Sequence, residues 1–242
     1  MLQQQDVFTR SEQKYMLSEQ QHQALMLHLK NYMTQDRFGL HTIGNVYFDT
    51  ENYALIRTSI EKPVYKEKLR LRSYGVPKAN SEVFLELKKK FKGIVTKRRI
   101  SLPLAQAQRY LLLGEKPEVS NGHILNEIDW FLLRYRPVPK IYIAYDRLAL
   151  FGREDKELRI TFDKNIRFRE SHLDLSQGNW GTPLLEPGKT LMEIKLQGAM
   201  PLWLSQLLTM HAIYPTSFSK YGACYKEHLL AKVFQKGGNI CA

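Results

Sequence analysis

The sequence predicts an α+β fold in which helices cover the apolar face of an antiparallel sheet or barrel. Strand-like segments follow one another closely, with few of the strand–helix–strand alternations that build parallel sheets. Within most of these segments charged and apolar residues alternate, as expected for strands with two different faces. The 242 residues, 43% of them hydrophobic, suffice for one well-cored domain. We therefore expect a single domain over residues 1–242, with its core at about 8–230 and a frayed tail at 235–242.

Helical periodicity and turn-forming residues divide the chain into elements. Ser18 is suited to cap a helix at 18–32, because Leu25, Leu29 and Tyr32 follow it at helical spacing. Further helices are predicted at 103–113, 121–134, 201–211 and 219–234. Alternating patterns predict strands at 43–50, 63–74, 81–92, 94–102, 140–150, 157–169 and 189–197. The stretch 170–188 is rich in Ser, Gly, Asn and Pro and is predicted to be a loop.

The chain is strongly basic, with a net charge of +12 and a pI of about 9.6. A surplus of this size predicts a polyanionic partner. Its two cysteines, Cys224 and Cys241, are too few for a disulfide framework or a zinc site. The N-terminus lacks the apolar stretch of a signal peptide, and no window approaches the roughly 20 apolar residues of a membrane span. We expect a cytoplasmic, reducing setting, which is compatible with a membrane-protein partner.

Cationic side chains share one face of the predicted strands. They are Lys66, Lys68, Arg70, Arg72, Lys88, Lys90, Lys97, Arg99, Arg147, Arg159 and Lys195. A sheet with one solvated polar face would explain any single strand of this kind. Like charges on neighbouring strands repel, so the repetition of Arg and Lys at strand centres indicates an anion that neutralises them. Closing the sheet with this face inward would give a polar tunnel for an elongated polyanion, with helices over the apolar face.

Short motifs follow one another in order from about residue 8 to 230. They are Arg10-Ser-Glu12-Gln-Lys14-Tyr15, Tyr47-Phe48-Asp49-Thr50, Tyr65-Lys66-Glu-Lys-Leu-Arg70-Leu-Arg72, Glu86-Leu-Lys88, Lys97-Arg98-Arg99, Tyr145-Asp-Arg147, Arg159-Ile-Thr-Phe-Asp163, Glu193-Ile-Lys195 and Ser219-Lys220-Tyr221. This succession resembles the VTC-type polyphosphate polymerase domain, one of the triphosphate tunnel metalloenzymes. The resemblance implies an eight-stranded antiparallel tunnel that binds ATP, triphosphate and polyphosphate, with Mn²⁺ or Mg²⁺ as cofactor. In that family's reaction the phosphate acceptor is phosphate or a polyphosphate end, and ATP leaves as ADP.

The resemblance also implies roles for individual residues. The phosphate-contacting set is Lys14, Arg70, Arg72, Lys88, Lys97, Arg147 and Arg159, with Lys220 and Ser219 closing over the phosphates from the last helix. Tyr145, Lys195 and Arg99 are further substrate contacts. Glu193 matches the family's metal position, and Glu86 and Glu12 are further candidate metal ligands. These residue types suit phosphoryl transfer, which depends mainly on positioning and charge neutralisation. Arg and Lys bind phosphate, and carboxylates bind hard cations.

Structural roles are open for several of these residues. Glu12 and Glu86 could be ion-pair partners of the surrounding cations. Ser219 could cap the final helix, a role compatible with phosphate contact. Asp163 could orient Arg159 or an adjacent strand.

Other residues are expected to have structural roles alone. Tyr47 is expected in the core, and Asp49 is expected to cap the segment that follows it. Lys89 and Arg98 should point away from the basic face by strand alternation. The seven histidines show no metal-ligand spacing, and helix-surface positions are expected for His22, His28 and His211.

Three functions compete with polymerisation: a metal-dependent triphosphatase or polyphosphatase, a catalytically silent polyphosphate-binding module, and a nucleic-acid-binding barrel. Related triphosphatases and adenylate cyclases carry Glu-x-Glu-x-Lys on the first strand, where this chain has Arg10-Ser-Glu12-Gln-Lys14. Replacing a carboxylate by a cation favours the binding of a phosphate chain over simple hydrolysis. Nucleic acid is not expected, because the aromatic residues fall on apolar faces rather than among the basic residues. The oligomeric state is left open.

Overall fold

The structure is a computed structural model that describes residues 10–118 and 122–230, without the side chain of Arg10. The predicted tail at 235–242 lies outside these residues. The chain forms two compact units. Unit 1 contains the residues up to His41, Asp146–Asn165 and Leu185–Phe218, and unit 2 contains Thr42–Tyr145, Ile166–Leu184 and the residues from Ser219 onward. None of the described helices is long and apolar enough to cross a membrane.

Strands outnumber helices along the described chain. The strands are β1 (Arg10–Leu17), β2 (Met33–Gln35), β3 (His41–Asp49), β4 (Tyr65–Tyr74), β5 (Glu82–Phe91), β6 (Ile94–Pro103), β7 (Val138–Gly152), β8 (Arg159–Arg169), β9 (Thr182–Pro183) and β10 (Thr190–Gln197). The helices are α1 (Glu19–Leu29), α2 (Ala54–Ile60), α3 (Leu104–Leu113), α4 (Gly122–Tyr135), α5 (Leu202–Met210) and α6 (Lys220–Cys224), the last followed by a π-helical turn at Tyr225–Leu229. The predicted fold class is confirmed: α+β, with an antiparallel path of eight strands.

Unit 1 is an antiparallel sheet packed against two helices. Its strands follow the order β1, β10, β8, β7, with β2 beside β7. The apolar faces of these strands and helices α1 and α5 enclose one core, which includes Leu17, Ile160, Ile194 and Leu204. The predicted cap of α1 is confirmed, because the Ser18 hydroxyl accepts a 3.1 Å hydrogen bond from the backbone N–H of Gln21.

The expectation that His22 lies on a helix surface is wrong. His22, Leu25 and Leu29 form the buried stripe of α1, at the three- and four-residue spacing that puts side chains on one helix face. The imidazole meets the ring of Phe162 edge-on, with 5.0 Å between ring centroids. Burial, together with the charge of Lys164, lowers the pKa of His22 to about 4.

Unit 2 has the strand order β8, β7, β3, β4, β5 and β6, with β9 beside β8; β7 and β8 contribute residues to each unit. Leu69 and Leu71 on β4 are buried in its core with residues of α3 and α4, while Arg70 and Arg72 project from the opposite face. The predicted alternation on this strand is therefore confirmed. Asp49 is the predicted cap: its carboxylate accepts hydrogen bonds of 2.9 and 3.0 Å from the first turn of α2.

Candidate functional site

Unit 1 carries a cluster of charged side chains on β1 and β10, centred on Glu193. The antiparallel register places Lys14 opposite Glu193 and Glu12 opposite Lys195. The Lys14 ammonium lies 3.6 Å from the Glu193 carboxylate and 3.7 Å from that of Glu12. The Lys195 ammonium lies 3.5 Å from each of the same two carboxylates. Two lysines thus bridge two glutamates.

The neighbouring strands add a bidentate ion pair to this cluster. The Arg147 guanidinium on β7 donates bonds of 2.6 and 2.7 Å to the fully buried carboxylate of Asp163 on β8. One of its nitrogens also lies 3.9 Å from Glu193. Asp163 therefore orients Arg147. Arg159 lies opposite Lys195 in register, and its guanidinium is 5.0 Å from the ring centroid of Phe151. We call Glu12, Lys14, Arg147, Asp163, Glu193 and Lys195 the Glu193 cluster.

The donors of the Glu193 cluster fit a divalent cation that takes most of its ligands from phosphate. In the described residues, no three Asp, Glu, His or Cys side chains converge as a protein-only metal site. Mg²⁺ is commonly held by one or two carboxylates plus substrate phosphates, and the Glu12 and Glu193 carboxylates meet that requirement. Thr161 lies opposite Glu193 in register, and its buried hydroxyl lacks a hydrogen-bond partner within the described part of the chain. A metal-bound water could satisfy this hydroxyl.

Unit 2 carries a second cluster, built around Glu86 on β5. The Glu86 side chain is about 1% exposed, yet four cations surround its carboxylate. The Nε of Arg70 lies at 2.8 Å, the Lys97 ammonium at 2.6 Å and the Nε of Arg99 at 2.7 Å, and Arg72 is more distant at 3.8 Å. We call these five residues the Glu86 cluster. Four positive charges against one negative charge leave a net +3.

Neutral polar side chains hold the two arginines of β4 in place. Arg70 donates a 3.2 Å bond to the Tyr47 hydroxyl. Arg72 donates bonds of 2.9 Å to the Asn45 side-chain oxygen and 3.2 Å to the Tyr145 hydroxyl. Apart from Glu86, the partners that position the two guanidiniums carry no compensating charge, so the excess positive charge of the cluster is retained.

The ionisation of the Glu86 cluster reflects this excess of cations. Burial would raise the pKa of Glu86, but the charges of Arg70, Arg72 and Lys97 outweigh it and hold that pKa well below its usual range. Burial lowers the pKa of Lys97 to about 8, because the attraction of Glu86 offsets burial only in part and Arg72 and Arg99 repel the ammonium. Lys97 is thus the member of the cluster that titrates near neutral pH.

Phosphate binding is expected to weaken as the pH rises through about 8, because Lys97 loses its proton in the unliganded protein. A bound polyanion would hold that proton, so binding at higher pH requires proton uptake. Between pH 7 and 9 we expect the affinity for tripolyphosphate to fall about tenfold more in the native protein than in Lys97→Arg, which stays charged. Calorimetric titration without metal measures this difference. If the affinities of the two proteins changed with pH in the same way, Lys97 would not take part in phosphate binding.

The start of α6 adds two further predicted site residues to unit 2. The Ser219 hydroxyl caps α6 by accepting a 3.2 Å bond from the Gly222 N–H, and it also accepts a 3.3 Å bond from Lys68. The Lys220 ammonium lies 4.4 Å from the ring centroid of Tyr145, within cation–π range. Lys88 on β5 lies between Lys68 and Lys97 in register, which gives a row of three lysines across β4, β5 and β6.

The predicted site residues thus fall into two groups, one in each unit. Unit 1 holds Lys14, Arg147, Arg159, Lys195, Glu12 and Glu193, and unit 2 holds Arg70, Arg72, Lys88, Lys97, Arg99, Tyr145, Ser219, Lys220 and Glu86. The prediction missed the contacts of Asn45 and Tyr47. Their signal was a polar side chain and a hydroxyl at alternate positions of the segment 43–48, which is otherwise apolar. The pairing of Asp163 with Arg147 depends on the register of β7 and β8, which the sequence does not reveal.

Comparison with known proteins identifies one family and several solved structures with a similar fold. The family model described as the VTC domain matches residues 9–228. A solved structure from Bacillus halodurans, provisionally described as an adenylate cyclase, is 14% identical, with 86% of this chain and 92% of that chain covered and a TM-score of 0.51. A Hippeastrum protein described as an adenylyl cyclase candidate with dominant triphosphatase activity is 17% identical, with 90% of this chain and 95% of that chain covered and a TM-score of 0.50. At these identities the likeness concerns the fold alone. No curated protein matches significantly.

Proposed function

Because the chain belongs to the VTC domain family, we propose that it is a polyphosphate polymerase that transfers the γ-phosphate of ATP to a phosphate chain. The observation that carries this proposal is the net +3 charge gathered around the buried Glu86 carboxylate. A cluster that keeps such an excess of positioned cations is suited to a ligand with many phosphate oxygens. ADP and a chain longer by one phosphate are the expected products.

The Glu86 cluster would act by binding and orienting phosphate groups. Arg70 and Arg72 are fixed by Glu86, Asn45 and the tyrosine hydroxyls, so little side-chain freedom is lost when phosphate binds. Glu86 would serve here as an anchor for cations. A divalent cation at Glu86 would face four positive side chains, and this charge distribution favours the ion-pair alternative for Glu86 over metal binding.

The Glu193 cluster would provide the metal ligands. Glu193 and Glu12 would hold Mn²⁺ or Mg²⁺, and the cation would supply positive charge to offset the charge that develops on the phosphates. Lys14, Lys195 and Arg147 lie within 4 Å of the Glu193 carboxylate and would contact the phosphate oxygens bound beside it. Asp163 fixes the Arg147 guanidinium through two hydrogen bonds and so holds it 3.9 Å from the Glu193 carboxylate.

A metal-dependent triphosphatase is the second candidate function. The similar fold of the Hippeastrum protein, which is described as having a dominant triphosphatase activity, supports it. Arg10 and the cationic excess of the Glu86 cluster weigh against it, because a hydrolase must release a short product whereas a polymerase must retain a growing chain. A silent polyphosphate-binding module would retain binding with neither activity.

Two adjacent arginines on β6 provide a matched test of the proposed function. Arg99 contacts Glu86, whereas Arg98 projects from the other face and pairs with Glu127 at 3.0 Å. We expect Arg99→Gln to weaken tripolyphosphate binding about 10- to 100-fold and to shorten the polyphosphate made from ATP and Mn²⁺, as resolved on a gel. Arg98→Gln should behave within about twofold of the native protein, because surface ion pairs contribute little. Equal effects of the two changes would argue against binding at the Glu86 cluster. ATP turnover that gives free phosphate, without polyphosphate of increasing length on the gel, would favour the hydrolase.

A further inference from the structure

The hairpin that joins β5 and β6 exposes apolar side chains at its end. Phe91, Ile94 and Val95 are 51%, 71% and 48% exposed, and Val64 and Tyr65 beside them are 63% and 40% exposed. Tyr65, Phe91 and Ile94 follow one another in register across three strands. They therefore form one apolar surface at the end of the sheet of unit 2. We call residues 62–66 and 90–95 the hairpin tip.

Lysines lie at the same end of the sheet, where Lys66 and Lys90 share the opposite face of the hairpin with Val95, so contacts from both faces require the tip to meet a partner end-on. The described residues give Lys62, Lys90 and Lys92 no carboxylate partner, and Lys66 donates a 3.0 Å bond to the Ser59 carbonyl. Burial, then the charges of Lys90 and Lys62, lowers the pKa of Lys66, so these ammonium groups are close enough to repel one another. The nearby acids are the exposed Glu61 and the buried Glu67, which accepts a hydrogen bond from the Tyr65 hydroxyl.

The turn itself places one of these lysines at the extreme end of the hairpin. Lys92 and Gly93 form a two-residue turn in which both residues have positive φ, 45° and 87°. Turns of this kind usually carry Asn, Asp or Gly at the first of these positions, so the backbone conformation does not favour Lys there. A cation at this point is therefore better explained by what the tip contacts than by the turn, and the tip combines exposed aromatic and aliphatic side chains with flanking ammonium groups.

We propose that the hairpin tip docks the protein on an anionic lipid surface. Phe91, Ile94 and Val95 would enter the interface between headgroups and acyl chains, and Lys62, Lys66, Lys90 and Lys92 would contact the negative headgroups. A phosphate chain would use the lysines but leave the apolar side chains in water. A protein partner would be expected to match the lysines with scattered carboxylates rather than a uniform negative plane. The apolar surface and the lysine charge together favour the lipid.

Vesicle sedimentation of the full chain, without ATP or metal, tests this proposal apart from the proposed function. We expect binding to phosphatidylcholine vesicles that contain about 30% phosphatidylserine and little binding to phosphatidylcholine alone. Phosphatidylglycerol should replace phosphatidylserine, because recognition is by charge. Phe91→Ser with Ile94→Ser should weaken binding at least about tenfold. Lys62→Ala with Lys92→Ala should weaken it about 25-fold, since each surface lysine contributes about fivefold.

The exposed leucines at the end of α3 give a matched control. Leu112 and Leu113 are 65% and 70% exposed, and replacing both by Ser should leave vesicle binding unchanged. As a second measurement, Phe91→Trp should add a component to the fluorescence that shifts to shorter wavelength with anionic vesicles, and Leu112→Trp should not. Equal binding to neutral and anionic vesicles would overturn the proposal. So would vesicle binding that survives the loss of Phe91 and Ile94 while depending on the lysines, because the lysines would then form a simple anion site.

Discussion

Glu193→Gln is expected to reduce the formation of ADP and polyphosphate from ATP and Mn²⁺ by about 10³-fold. The Glu193 carboxylate lies within 4 Å of Lys14, Lys195 and Arg147 and is the proposed principal metal ligand. Loss of a charged metal ligand removes several kcal/mol of transition-state stabilisation, and each 1.36 kcal/mol corresponds to about a factor of ten. Steady-state rates over a range of Mn²⁺ concentrations measure the loss.

A binding measurement and an exposed control glutamate distinguish the proposed metal-binding role of Glu193 from a structural one. Without metal, Glu193→Gln should bind tripolyphosphate at least as well as the native protein, because the change removes a negative charge among cations. Glu186→Gln, at an exposed position of unit 1, should leave the rate unchanged. The proposed role would be contradicted if Glu193→Gln folds, binds tripolyphosphate and keeps more than about a tenth of the native rate. The metal would then be held by other residues.

Glu86→Ala is expected to lower the free energy of unfolding by about 3–5 kcal/mol. The change removes the carboxylate that Arg70, Arg72, Lys97 and Arg99 all approach, and the loss of one partner of a buried ion pair leaves uncompensated charge. Urea denaturation suits the measurement, because guanidinium salts would screen the effect. Glu127→Ala is the matched control: Glu127 also pairs with two cations, Lys89 and Arg98, but is partly exposed, so a loss of about 0–1 kcal/mol is expected.

Tripolyphosphate should stabilise Glu86→Ala more than it stabilises the native protein. The four cations keep their positive charge in the variant, and bound phosphate would replace the missing carboxylate as their counter-charge. The shift of the urea midpoint with ligand concentration measures this difference. If the variant is as stable as the native protein, or is destabilised but gains nothing from tripolyphosphate, then the cations are not held for a phosphate ligand.

The strand alternation made most of the fold predictable. The pattern of β4, with Leu69 and Leu71 on one face and Arg70 and Arg72 on the other, depends only on strand geometry and is local to the sequence. Helix α2 was not predicted, because its first turn is held by Asp49, which lies six and seven residues before the N–H groups that it binds. His22 was misplaced because one histidine in a short amphipathic stripe has the same spacing as a leucine.

The candidate site was predictable in its membership but not in its pairing. Alternation and the family resemblance brought out the cations and the three glutamates. The bidentate pair of Arg147 with Asp163 requires the register of two strands, and the contacts of Asn45 and Tyr47 require β3 to lie beside β4. Such pairings arise from hydrogen bonds between distant segments, so no local pattern encodes them. The distribution of the charges between two units likewise follows from the chain path.

The most direct test of the proposed polymerase is a phosphate balance with ATP labelled on its γ-phosphate. The purified protein is incubated with labelled ATP and Mn²⁺. The amounts of ADP, free phosphate and polyphosphate-bound phosphate are each measured over time. Polymerisation predicts that most of the label lost from ATP is recovered in chains that lengthen with time, in proportion to the ADP formed. Recovery of the label as free phosphate, with no chain longer than the substrate, would contradict it and assign the protein to triphosphate hydrolysis.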